Sequence, residues 1–334
     1  MSTHQRLPGG QPVVGKSVFR DARVFKNSDS ETSTSLLKEL RTSVSGALEG
    51  LRSISGEIAA LSGRVMNLGN TVMGRSAPHR AIYLGDHEVL TEIHSGPRIY
   101  VDSRDVGIAS HLMWHGRWET WVEDQLMAQI RPGMHVLDIG ANFGYYTLRM
   151  GQHVGPKGSV HAFEANPAIA RKLVKSVAVN GYAPWTTVHP IALADKHGEH
   201  LFAFDPYFSG GGRFAAVSDG AREEITVPTA PLDALLPETH EVDVVKMDVE
   251  GAEGLVLRGG NRVFSGRRLR AVVTEFTPGA LKHYMDPREF LDFFLARGFS
   301  MSLIEIERTR ATTIDALLAP GNDDLGYLLF ERQV

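Results

Sequence analysis

The stretch HVLDIGANFGYY, residues 135–146, decides the architecture. Val136 and Leu137 form a short apolar run that ends in Asp138, and Gly140 and Gly144 follow. An apolar run, a glycine-bracketed turn and then aromatic residues read as a buried strand, a tight turn and the opening of a helix. Glycine lets backbone approach a ligand closely, because no Cβ stands in the way. The first N–H groups of the helix are free to meet a polar or anionic group. The pattern is Asp-x-Gly-x-x-x-Gly, and the dinucleotide fingerprint Gly-x-Gly-x-x-Gly is absent from it. An acid just before the first glycine suits a ligand with cationic groups, such as the aminoacyl end of S-adenosylmethionine (SAM). The plainer alternative is an ordinary strand-turn-helix corner of an α/β protein, and the neighbouring strands decide between the two.

Downstream, the helix opened at Gly144 runs to about Val154, and Gly155-Pro156-Lys157-Gly158 turns the chain. Ser159 to Phe163 is a second strand that ends in Glu164. Asn166 and Pro167 supply an N-cap and a first helical residue, and Gly181 stops that helix after Asn180. Thr187 to Ile191 reads as a third strand. The order β-α-β-α-β is that of a parallel doubly wound sheet. Glu164 stands about twenty residues past the glycine turn, where a carboxylate accepts hydrogen bonds from a ribose diol. Residues 196–228 read as an insertion, with strands at 200–204 and 225–227 around a loop carrying Gly210, Gly211 and Gly212. No Gly-Lys-Ser/Thr follows those glycines, so a mobile lid fits better than a phosphate loop.

VDVVKMDVEGAE, residues 242–253, is the fourth core strand. Lys246, Asp248 and Glu250 alternate and share a face if the strand runs that far. Charges inside a buried strand are costly unless paired or used, so Lys246 and Asp248 are either a structural ion pair or functional groups. AVVTEF, residues 271–276, is a fifth strand ending in Glu275. Pro287 to Arg297 is a helix, and Ser300 to Ile306 and Leu325 to Phe330 are two final strands that suit an antiparallel pair.

Upstream the rhythm changes. Residues 1–30 are polar, with Pro8, Gly9, Gly10 and Pro12, and read as a flexible arm. Within 31–75, Leu37, Leu40, Val44, Ala47, Leu51, Ile54, Ile58, Leu61, Val65, Leu68 and Val72 recur at spacings of three and four. That is a coiled-coil seam, and it points to a homo-oligomer through residues 37–72. A single amphipathic helix is the alternative, though it usually shows a wider apolar stripe. Five off-seam glycines at 46, 50, 56, 63 and 69 weaken an isolated helix. Residues 76–130 are a lead-in to the catalytic domain at 131–334. The lead-in reads as short strands at 81–84, 89–93 and 99–101, then a helix over 106–130. That helix carries an aromatic-apolar face of Trp114, Trp118, Trp121, Val122 and Leu126. His111 and His115 sit one helical turn apart without a third ligand, so they read as surface or cleft residues rather than a metal site, and no metal is expected.

Composition bounds the functions that remain. The 334 residues include 43% apolar ones, enough for a large core, and no cysteine, which excludes disulfides, thiolate metal sites and cysteine nucleophiles. A formal charge of −4 and a pI near 6.4 leave no electrostatic footprint for nucleic acid. No apolar run has membrane-span length, and the first residues lack a signal-peptide core, so a cytoplasmic protein is expected.

Three motifs together resemble the FkbM family of SAM-dependent methyltransferases: LDIGANFGYYT at 137–147, VHAFEANP at 160–167 and VKMDVEGAE at 245–253. PLDALL at 231–236 and the strand at 271–276 support the resemblance, which covers roughly residues 80–334. It implies an α/β fold, the Rossmann-like class I methyltransferase sheet of seven strands with the last antiparallel, preceded here by the coiled-coil helix. It implies SAM as cofactor and O-methylation of a hydroxyl on a sugar, glycan or secondary metabolite, so the partner is a small-molecule or glycan acceptor. By position, Asp138, Gly140 and Gly144 would hold the methionine part of SAM, Glu164 the ribose, and Ala192 would lie near the adenine, with Asn142 lining the same cleft. A sugar hydroxyl has a high pKa and gains from a nearby general base. Asp248 is the first candidate, Glu250 and Glu275 follow, and Lys246 orients Asp248 or stabilises a developing alkoxide. His189 and His161 are weaker candidates. Two other readings stay open: an NAD-dependent oxidoreductase on the same sheet, and a non-catalytic coiled-coil assembly module.

Overall fold

The computed structural model describes residues 81–94, 96–215, 223–322 and 326–332. The expected coiled coil lies outside them. The lead-in opens with a three-stranded antiparallel sheet, β1 (Ile82–Gly85), β2 (Glu88–Glu92) and β3 (Arg98–Asp102). The expected single helix over 106–130 is two helices, α1 (Ile108–His115) and α2 (Thr120–Gln129). Gly116 ends α1 in the left-handed region, and Glu119 caps α2 at φ 40°. Trp114 therefore leaves the buried face and is 78% exposed.

The core elements follow as β4 (His135–Ile139), α3 (Tyr145–Val154), β5 (Ser159–Phe163), α4 (Pro167–Val179) and β6 (Thr186–His189). The short β7 (Ala192–Leu193) comes next. After it, β8 (Gly198–Asp205), β9 (Phe208–Phe214) and β10 (Glu223–Ala230) build a second sheet of order β7-β10-β8-β9. Gly210, Gly211 and Gly212 thus lie within a strand, not in the expected loop, and their missing side chains leave room for the rings of Phe202 and Phe208. The chain continues through α5 (Leu232–Leu235), β11 (Val244–Met247), α6 (Glu253–Gly259), α7 (Asn261–Ser265) and β12 (Ala271–Phe276). It closes with α8 (Pro278–Leu281), α9 (Pro287–Leu295), β13 (Ser300–Glu305), β14 (Arg308–Ala311), α10 (Ile314–Leu317) and β15 (Gly326–Glu331).

The main sheet runs β14-β13-β15-β12-β11-β4-β5-β6. Strands β12, β11, β4, β5 and β6 are parallel, and β15 inserts antiparallel between β12 and β13. The reversed last strand is therefore present. The sheet has eight strands rather than seven, because Arg308–Ala311 folds back on β13 as an exposed edge. That segment, RTRA, has no apolar alternation to announce a strand.

Strands buried on both faces alternate between two cores. Val136, Val160, Val244 and Val273 face α1 to α4, whereas Leu137, Phe163, Val245 and Val272 face α5 to α9. Tyr327 and Leu329 of β15 join the first core and Leu328 and Phe330 the second. In register, Lys246 lies beside Asp138 and Glu275 beside Tyr327. Polar groups thus enter the first core at the carboxyl ends of the central strands, where open α/β sheets bind ligands.

Candidate functional site

The turn after β4 is held by backbone-to-backbone contact. Gly140 has φ +77°, and a Cβ there would sit 1.7 Å from the carbonyl oxygen of Asp248. Gly144, at φ +99°, caps α3, and a Cβ there would sit 2.2 Å from Leu173 Cδ1. A clash with backbone thus demands the first glycine, and the left-handed φ demands the second. Gly140 lines the cleft above the sheet and Gly144 does not. Asp138 does not line it either. Its side chain is fully buried beneath the turn, Oδ2 accepts from Thr147 Oγ1 at 2.5 Å, and Oδ1 has no hydrogen-bond partner among the described residues.

Glu164 lines the cleft at the end of β5. Its Oε2 accepts from the Asn142 backbone N–H and its Oε1 from that of Asn166, both at 2.8 Å. Each carboxylate oxygen offers two acceptor positions, so each keeps one beyond these bonds. Burial pushes its pKa up to about 7, and the two N–H bonds only partly oppose this. Asn142, at φ +50°, donates from Nδ2 to the Ser209 carbonyl oxygen at 3.1 Å, which ties the turn to the β8–β9 hairpin. Asp105 accepts from the Ser209 N–H at 2.6 Å, so the hairpin is also pinned to the lead-in. Ala192 lines the wall near Glu164, with Ile191 and Leu193 beside it.

The opposite wall is charged. Strand β11 stops at Met247, so Lys246, Asp248 and Glu250 do not share a strand face. Lys246 lies in the strand, Asp248 just past it, and Glu250 in the left-handed region at φ +54°. All three still line the cleft. Lys246, only 2% exposed, places Nζ 3.2 Å from Asp248 Oδ2 and 5.1 Å from the centre of the Tyr146 ring. Burial alone would lower its pKa, but the neighbouring acids, Asp248 first, outweigh it and hold the ammonium above the usual lysine value. Tyr327 Oη lies 2.7 Å from Asp248 Oδ2 and 3.1 Å from Glu119 Oε2, and Tyr146 donates to that same Glu119 oxygen at 3.1 Å.

Glu275 does not line the cleft, yet its carboxylate lies within 4.8 Å of those of Asp248 and Glu250. Burial, then the charge of Asp248, pushes Glu250 up to about 8 and Glu275 up to about 10. Neither His161 nor His189 reaches the cleft. They meet each other at 3.0 Å, and burial pushes His161 down to about 4. His111 and His115 are exposed on α1. Of the tryptophans, Trp118 lines the cleft and also packs on the first core. Glu119 and Tyr327 escaped the sequence reading. Glu119 sits at a helix break that periodicity did not show, while Tyr327 enters the first core from β15, a strand whose place in the sheet no local pattern shows.

Residues 138–301 match the family model of the methyltransferase FkbM domain. The chain is similar to Methyltransferase 1 of Beauveria bassiana, 26% identical over an alignment of 144 residues, with 37% of this chain and 57% of that protein covered. It is also similar to protein-L-isoaspartate O-methyltransferase 1 of Arabidopsis thaliana, 29% identical over 113 residues, 34% of this chain and 46% of that protein. The chain spans about half the length of these curated relatives. A SAM-dependent O-methyltransferase from Thermotoga maritima aligns structurally at a TM-score of 0.37 and 13% identity, over 77% of this chain and 86% of that one. Among the described residues, no helix is long and apolar enough to cross a membrane.

Proposed function

Because this chain carries a methyltransferase FkbM domain at residues 138–301, we propose that it transfers a methyl group from SAM to a hydroxyl of a sugar, glycan or secondary metabolite. The observation that carries the reading is one cleft lined both by Glu164 and Ala192, beyond β5 and β6, and by Lys246, Asp248 and Glu250, on the β11 side of β4. The residues suit the donor. Glu164 keeps acceptor capacity for a ribose diol, Asn142 and Gly140 form the floor, and Ala192 with its apolar neighbours offers a surface for an adenine. When bound, SAM would supply a methyl group on a sulfonium, from which a neutral thioether is a good leaving group.

The protein's share is therefore orientation, exclusion of water and handling of one proton. Asp248 takes the proton of the acceptor hydroxyl as general base. Lys246 fixes the Asp248 carboxylate and stabilises negative charge developing on the acceptor oxygen. Glu250, beside them at the cleft wall, is the second candidate base. The hairpin pinned by Asp105 and Asn142 to the rest of the site covers the cleft and keeps water out. The acid ahead of Gly140 acts from below, through Lys246 and Thr147, rather than by touching the ligand.

A screen of glycans and sugar nucleotides with methyl-labelled SAM tests the reading. Label incorporated at a hydroxyl supports it. Binding of NAD without binding of SAM overturns it.

A further inference from the structure

Glu119 and Tyr327 both lie outside residues 138–301, on α2's cap and on β15, yet they converge under Asp248. Tyr327 Oη is 2.7 Å from Asp248 Oδ2 and 3.1 Å from Glu119 Oε2. A phenol has one proton to donate. Two carboxylates flanking one phenol therefore need a second proton, because otherwise one of them would face a bare oxygen lone pair. Tyr146 does not resolve this, since its own O–H is spent on Glu119 at 3.1 Å. The extra proton rests on either Asp248 or Glu119. The Lys246 ammonium stands 3.2 Å from Asp248 and forms no hydrogen bond to Glu119, so the negative charge sits on Asp248.

We infer that Glu119 is a neutral carboxylic acid that donates to Tyr327, which in turn donates to the Asp248 carboxylate. The chain Tyr146, Glu119, Tyr327, Asp248 is then a directional relay in which every donor has an acceptor. Glu119 is a positioning residue: it turns the Tyr327 O–H toward Asp248 and keeps a second negative charge away from it. The groups facing Glu119 are Tyr146 from α3, Tyr327 from β15 and, at the end of β11, Lys246 and Asp248. On its own helix, Glu123 turns instead to Tyr145 and Arg149. Burial, reinforced by the charge of Asp248, raises the Glu119 pKa in the direction this assignment needs. The assignment of the proton stands without any substrate, while its consequence for catalysis rests on Asp248 being the base.

Difference infrared spectroscopy of the full chain at neutral pH, wild type against Glu119→Gln, reads the proton directly. The expected result is loss, in the variant, of a carbonyl stretch belonging to a protonated carboxyl group. Loss of an ionised carboxylate stretch instead would overturn the inference. Should Glu119→Gln fail to fold, Tyr327→Phe removes the acceptor, and the same carbonyl band must then shift; a band unmoved by that change would equally overturn it. Neither measurement uses methyl transfer, so a failure of the proposed activity would leave the proton assignment standing.

Discussion

Replacing Glu164 by Gln changes one atom and tests the donor end of the cleft. In the parent, both carboxylate oxygens accept a backbone N–H at 2.8 Å, from Asn142 and Asn166. An amide can accept only one of these and turns its NH2 toward the other. It also loses the charge offered to a ribose diol. Hydrogen bonds to charged groups contribute about 1.5–3 kcal/mol, so SAM binding should weaken by about 10- to 100-fold. A second signature comes from pH. Burial holds the Glu164 pKa at about 7, against an ordinary 4.5. Isothermal titration should therefore show SAM affinity of the parent falling as the pH drops through 7, while the variant stays flat. Stability moves the opposite way. Between those two values the folded chain binds more protons than the unfolded one, so acidification stabilises the parent, by up to about 3 kcal/mol at full protonation, and alkalinisation removes that gain. The variant lacks this rise. Parent-like SAM affinity in Glu164→Gln, or a parent affinity independent of pH, would mean that the Glu164 carboxylate does not hold the ribose.

Four further outcomes can be measured. Gly140→Ala combines a left-handed φ with a clash against the Asp248 carbonyl, and should cost about 3 kcal/mol, lowering Tm by roughly 5–10 °C. Gly181→Ala, at φ +72° with open space around it, should lose only about 1–2 kcal/mol in the same melts. Asp248→Asn should slow methyl transfer by about 10²–10⁴-fold while leaving SAM affinity close to the parent's, as read by label transfer and titration side by side. Leu51→Asp with Ile58→Asp puts charge into the expected seam and should turn an oligomer into a monomer in sedimentation velocity, with SAM binding retained.

The legible parts of this chain are those with local rules. The apolar run before Asp138, the glycine bracket and the Asn166-Pro167 cap mark the strand-turn-helix units, and these appear where the pattern puts them. Glu164 and the Lys246–Asp248 pair were legible for the same reason: charged residues at the ends of apolar strands are conspicuous. What escaped depends on contacts distant in sequence. Gly144 reads like a ligand-binding glycine, but it caps α3 at φ +99° against Leu173 and lies outside the cleft, which no local pattern reveals. Asp138 reads like a ligand acid, but Thr147 and burial claim it. The end of β11 at Met247 rather than beyond Glu250 reflects the tight approach of Asp248 to Gly140. Glu119 joins the site only because a helix breaks at Gly116, and Tyr327 only because the last strand inserts beside β12.

We propose that Glu164 and Asp248 bracket a bound adenosyl sulfonium. The most direct measurement is a crystal structure of the protein with S-adenosylhomocysteine. The ribose hydroxyls are expected on the Glu164 carboxylate, the adenine against Ala192 and the sulfur facing the Asp248 side of the cleft. A ligand bound elsewhere, or in this cleft with the ribose away from Glu164, would contradict it.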